Sequence, residues 1–420
     1  MTYTYLSLAA LVLAIALGFI KGYNTGILCI GLAYIVGKMA GLTDAKIFSG
    51  FPSSLFLLIF GVMFLFGIAQ DNGSLSLLVK KVLRLTGKQA WLLPIVLFLC
   101  TLTISGLGAG PYAILTIYTV TGVALAKELH VSPWVFILCG GRGTTIGSCS
   151  PISLLGLVTG GILGDLGYDK GLMQPVFLNI LVSGVVMMLI FYFAFGGHKL
   201  RAPEELYREP LPKFNKEQKI TLLALLIFVL VVCFCGYNPG FVGIIIAMVL
   251  VIIGVADEKK IVKSIPWSTL MMLSGVSLLV KVITETGGIE LISNMLGAVV
   301  TPFTAAPFTA LMAGVFSVFS VMSSVVVPTM TPILPALVEA TGGGVSLVTL
   351  LTAMCFGGYA TSISPLSSGG GMIMAAITGM DEKDGGQSPA KVFKTLIILA
   401  VIQMAVSTIF GFTPLFSIFQ

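Results

Sequence analysis

The chain has 420 residues, of which 57% are hydrophobic and only 10% charged, with a mean hydropathy of +1.06; that is less than half the charge of an ordinary soluble domain. A water-soluble globule is thereby excluded, and at roughly 20 apolar residues per crossing the length leaves room for about ten membrane spans and little else. The formal net charge of +6 comes from thinly spread Lys and Arg, which argues against a nucleic-acid partner.

In chain order, hydropathy predicts spans at Tyr3–Ile20, Thr25–Leu42 and Pro52–Ala69. The first lacks a basic n-region and a small-residue cleavage site, so it reads as a retained helix. An uncharged stretch then runs from Gln89 to Ala126, interrupted by Ser105-Gly-Leu-Gly-Ala-Gly-Pro111. Its arms, about 24 and 22 Å long as helix, suit a re-entrant hairpin; two short full spans fit the same lengths. Pro133–Gly164 is too long for one helix and breaks at Ser148–Ser153, and Leu172–Phe195 follows. The charged, proline-containing His198–Lys219 reads as a linker. Beyond it come Ile220–Gly236, Gly240–Ala256, Trp267–Ile283, a second hairpin around Ser323–Pro328, a broken helix at Ser362–Ser367, and Thr395–Phe416. The cysteines lie inside apolar segments without the paired spacing of a structural zinc site.

One spacing recurs. Pro52 and Ser54 return 214 residues later as Pro266 and Ser268, Gly61 as Gly275, Gly73 as Gly287, and Ser148-Cys-Ser150-Pro151-Ile-Ser153 as Ser362-Ile-Ser364-Pro365-Leu-Ser367. Five crossings per half plus an even excursion invert the second half relative to the first. One orientation places the basic loops inside and leaves only Lys38, Lys46, Lys170 and Lys281 near the outer side, with Arg142 within a span. The expected fold class is an all-α polytopic membrane protein. It has two inverted-topology repeats of five transmembrane helices plus a re-entrant hairpin each, with broken helices at mid-membrane. Residues 1–197 form the first repeat, 198–219 a cytoplasmic linker and 220–420 the second repeat, in a multi-pass protein of the cytoplasmic membrane with both termini outside.

Paired broken helices in inverted halves are how secondary transporters are read from sequence. Non-helical backbone at mid-membrane persists only where it lines a cavity or binds something, because each unsatisfied polar group costs several kcal/mol there. Half-helix N-termini suit carboxylates, and freed carbonyls suit a small cation. The substrate-binding candidates are Ser105, Gly106, Arg142, Ser148, Ser150, Pro151, Ser153, Ser323, Ser324, Ser362, Ser364, Pro365 and Ser367. A cation would use Ser105, Gly106, Ser148, Ser323, Ser324 and Ser362. The glycines at the first tip fit close helix packing equally well. Arg142 cannot shed its charge, so it faces substrate, or else carbonyls or an acid such as Glu339. Asp71 and Glu285 end corresponding helices and read as interfacial caps. An enzyme is not expected, since the spans hold no histidine and no acid pair.

At these residues the chain resembles the ion-transporter superfamily of divalent anion/sodium symporter type. It is most similar to the malonate and dicarboxylate carrier group in Gly50-Phe-Pro-Ser-Ser-Leu-Phe-Leu, Phe66-Gly-Ile-Ala-Gln-Asp-Asn-Gly73, the Ser105–Pro111 tip and Ser150-Pro-Ile-Ser153. Where the sodium-coupled relatives carry Ser-Asn-Thr, this chain has Ser105-Gly106-Leu107 and Ser323-Ser324-Val325. The resemblance implies elevator-type alternating access and a homodimer. The function expected is secondary active transport of a small organic anion, a C3 or C4 dicarboxylate such as malonate or succinate. Na⁺ or H⁺ is the coupling cation, and no other cofactor is expected. The rivals are an anion channel and the membrane subunit of a binding-protein-dependent carboxylate transporter.

Overall fold

A chain this apolar must satisfy its backbone polar groups within its own segments. The computed structural model describes residues 2–21, 23–201, 211–235, 237–265, 267–288, 291, 300–319, 321–378 and 387–420, and among them it is all-helical with no strand. The first half contains α1 (Thr2–Lys21), α2 (Thr25–Met39), α3 (Asp44–Phe48), α4 (Ser53–Asp71), α5 (Ser74–Arg84), α6 (Leu93–Gly106), α7 (Pro111–Leu129), α8 (Trp134–Ser148), α9 (Leu154–Asp165) and α10 (Met173–Ala194). The second contains α11 (Lys216–Cys235), α12 (Pro239–Ile252), α13 (Glu258–Ser264), α14 (Trp267–Glu285), α15 (Pro302–Phe319), α16 (Val327–Met330), α17 (Leu334–Ala340), α18 (Leu347–Ala360), α19 (Ser368–Thr378) and α20 (Pro389–Gly411). Among the described residues, Lys170–Ala194 and Pro389–Gly411 are each long and apolar enough to cross a bilayer, while eight further apolar helices have 10–17 residues.

The 214-residue spacing governs local structure as well as letters. Asn24 and its mate Asn238 both cap a helix, each accepting from the backbone N–H groups two and three residues on. Thr43 and Asp257 also cap helices, accepting from the backbone N–H of Lys46 in α3 and of Lys259 in α13. Gly73 and Gly287 both hold the left-handed conformation, at φ +70° and +76°, which any other residue adopts only with strain.

The halves also pack reciprocally. Helix α2 lies on α14, and α4 on the α2 equivalent, α12. Glycines make both crossings: a Cβ on Gly275 would collide with the Gly26 carbonyl, and one on its mate Gly61 with the carbonyl of Gly240. Two mated ion pairs reinforce this exchange. Lys46 reaches Glu285 at 2.6 Å and Lys260 reaches Asp71 at 2.7 Å, so these acids, each the last residue of its helix, tie one half to the other. Helices α6 and α8 meet through Gly143, and α15 and α18 through its mate Gly357.

Two local features depart from the hydropathy reading, and the first hairpin tip agrees with it. The stretch between the third span and Gln89, which hydropathy leaves unassigned, contains the amphipathic α5, set at 63° to the Phe56–Asp71 stretch of α4. The first hairpin turns through Leu107–Gly110, with Gly108 at φ +117°. The second has no open loop at the serines: Val321 is extended, and Ser323 and Ser324 sit in a π-helical turn, Met322–Val326, that runs into α16. Such turns recur at functional positions.

Candidate functional site

Both predicted helix breaks are present. Helix α8 stops at Ser148 and α9 restarts after an extended Ser153; α18 stops at Ala360 and α19 restarts at Ser368. The breaks are clamped alike, since a Cβ on Gly156 would collide with the Ser150 carbonyl and one on Gly370 with the Ser364 carbonyl.

The hydroxyls of the two breaks have different uses. In the first half, Ser105 and Ser148 lie 3.0 Å apart and both reach the Thr144 carbonyl, at 2.9 and 2.8 Å. Ser153 donates to the Ser105 carbonyl at 2.6 Å. This buried knot joins the hairpin tip to the break. A Cβ added at Gly106 would fit in ordinary contact with Gly147 and Ser150, Ser150 is buried, and Pro151 is exposed. In the second half, Ser367 reaches the Ser362 and Ser364 carbonyls at 2.7 and 2.8 Å, and Ser362 donates to Tyr359 at 2.9 Å. Ser364 is fully buried and Pro365 partly so. The Ser324 side chain lies outside the described residues.

A cavity of about 90 Å³ opens where the two halves meet, lined by Arg142, Ser323, Tyr359, Ser362, Ser367 and Gln403 among others. Four of the predicted residues are therefore brought together there: Arg142, Ser323, Ser362 and Ser367. Ser105, Gly106, Ser148, Ser150, Pro151, Ser153, Ser364 and Pro365 are not among its lining residues.

Arg142 is 4% exposed. Its guanidinium carbon lies 5.7 Å from the ring centres of both Phe191 and Phe356, a desolvated cation–π arrangement worth about 2 kcal/mol per ring. Phe356 is the residue 214 positions on, so these repeat mates face each other in the buried interior. The guanidinium donates to Oε1 of Gln403. Among the described residues no carboxylate lies within ion-pair reach of it, Glu339 included. Its charge is thus buried without neutralisation, at a cost of several kcal/mol. Gln403 was not singled out by motif, although a lone amide inside the apolar Leu396–Phe410 stretch is a signal that hydropathy offers.

Two larger clefts are also present. One, of about 300 Å³, lies between α4 and the first hairpin tip, and shares Pro111 and Ser323 with the central cavity. The other, of about 400 Å³, is lined by α14. They use mated positions: Met63, Phe66, Gly67 and Gln70 in the first, and Ser277, Val280, Lys281 and Thr284 in the second.

Residues 176–418 match the family model of the sodium:sulfate symporter transmembrane region. The chain belongs to that family. Residues 1–148 match the model of the N-terminus of the dicarboxylate carrier protein MatC. No curated protein matches in sequence. Two solved structures share the fold of this chain: the YdaH transporter of Alcanivorax borkumensis, whose topology is described as unusual, and MtrF of Neisseria gonorrhoeae, described with a class of antimetabolite efflux pumps. The first is 14% identical with a TM-score of 0.62, covering 91% of this chain and 88% of that one. The second is 15% identical with a TM-score of 0.59, covering 90% and 84%.

Proposed function

We propose that this symporter-family member is a secondary transporter that carries a small dicarboxylate, malonate or succinate in size, across the cytoplasmic membrane with Na⁺ or H⁺. The observation that carries the reading is Arg142, a buried cation with no acid partner among the described residues, beside a cavity that also collects hydroxyls from the second hairpin and the second break. A dianion supplies the missing countercharge, and a coupling cation offsets the rest during passage through a low-dielectric interior. The mated clefts, the exchanged ion pairs and the glycine crossings support two inverted repeats, 1–197 and 220–420, with alternating access from opposite sides. Asp71, Lys260 and Gln70 then lie inside, Glu285, Lys46 and Thr284 outside, and both termini outside.

Uptake into proteoliposomes tests this. An imposed Na⁺ or pH gradient is expected to drive malonate or succinate accumulation above equilibrium. Flux of every carboxylate that ignores both gradients would overturn the coupled mechanism, and currents beyond carrier turnover would mean a channel.

A further inference from the structure

The central cavity holds one polar side chain with an unmet demand. Gln403, on α20, is 1% exposed and lines the cavity. Its Oε1 accepts from Arg142, and its Nε2 has no acceptor among the described residues. A guanidinium has donors only, so it fixes the amide: the flipped rotamer would set N–H against N–H. The amide nitrogen is therefore held away from the guanidinium with its two hydrogens uncommitted. A buried donor in that position is costly until something accepts from it. The Arg142–Gln403 pair thus presents donors from both halves of the chain, in a cavity with no carboxylate among its lining residues.

We propose that Gln403 is the selectivity residue of the transport site: with Arg142 it forms a donor-only clamp for one carboxylate of a short diacid, the other end meeting the second-half hydroxyls. A carboxylate accepts from both partners and donates nothing. A neutral amide or an alcohol would set its own donors against the clamp. The size is restrictive as well, since about 90 Å³ is well below the roughly 300–1,000 Å³ of ordinary ligand pockets, which favours a chain of three or four carbons over longer diacids. The inference rests on the transport reading and adds to it the group that selects the substrate.

Gln403→Glu is the test, because it places a carboxylate against Arg142 and neutralises the clamp from within. Binding of malonate, succinate, glutarate and propionate is measured on the purified full chain, with thermal unfolding as the folding control. The wild type is expected to prefer malonate and succinate to both others. Gln403→Glu is expected to unfold at the wild-type temperature or above and to lose malonate affinity by at least about thirtyfold. Malonate affinity within about threefold of wild type would overturn the role of Gln403 while leaving the transport reading intact; a wild type that binds none of the four would overturn both. Should Gln403→Glu not fold, Gln403→Asn decides: a raised KM for malonate with kcat unchanged supports the clamp, and an unchanged KM overturns it.

Discussion

Arg142 carries the largest electrostatic consequence of any single residue here. Truncating one member of a buried charge-assisted pair costs about 2–5 kcal/mol of binding, so Arg142→Ala is expected to lower dicarboxylate affinity by at least about thirtyfold. Arg142→Lys is expected to recover only part of it, since a point charge lacks the planar fork. Binding titrations on the purified protein check both. The serines divide by surroundings. Ser148→Ala removes a hydroxyl from the knot with Ser105 and Thr144 and is expected to cost about 1 kcal/mol of stability with substrate affinity unchanged. Ser362→Ala, at the cavity wall, is expected to raise KM with little change in melting temperature. Equal effects of the two on affinity would contradict the different placement of the two breaks. Sequence reading named both serines, because the repeat makes them look alike. It could not separate them, because a hydroxyl's partner is chosen by a neighbouring helix and not by its own motif.

At the scale of elements, the glycine crossings are the tightest constraint. Gly61 and Gly275 leave no room for a side chain at the exchanged α4–α12 and α14–α2 contacts. Gly61→Leu is expected to destabilise the protein by about 1–3 kcal/mol through overpacking. Gly31→Leu, where open space surrounds the position, is expected to be near neutral. Melting in detergent compares them. Gly61 and Gly275 are visible as repeat anchors, but their purpose is not, since close approach is a property of two helices together. The amphipathic α5 escaped hydropathy reading for a related reason. Its pattern of Leu75, Leu77, Val79 and Leu83 buried beside Lys80, Lys81 and Arg84 is too charged to score as a span, yet periodic enough to fold.

For the whole molecule, the exchanged ion pairs join the halves. Lys46, then Lys281, hold the Glu285 carboxyl below its ordinary value of 4.5, just beyond the predicted span. A carboxyl with a depressed native pKa stabilises the fold fully above its unfolded value and loses that contribution as pH falls through the native one. Melting temperature is therefore expected to drop below about pH 4.5 more steeply in the wild type than in Glu285→Gln. Identical acid limbs would remove the pair from the account. The proposed inversion makes a second prediction. Gln70 and Thr284 are mated, exposed, and line opposite clefts. In a background with the exposed Cys235 replaced, Thr284→Cys is expected to react with an impermeant thiol reagent from outside, and Gln70→Cys only after permeabilisation. Reaction of both from one side would refute inversion.

Composition and periodicity suffice for a membrane-bound, all-helical chain, for the 214-residue repeat and for the breaks at Ser148–Ser153 and Ser362–Ser367, because each of these depends on backbone propensity and on transfer from water, which act along the chain. Tertiary structure alone decides that Glu285 pairs with Lys46, that Arg142 faces its own repeat mate, that Gln403 fixes the guanidinium, and that the second break rather than the first borders the cavity. Those contacts join residues up to 261 positions apart, and local pattern carries no information about which helices are brought side by side.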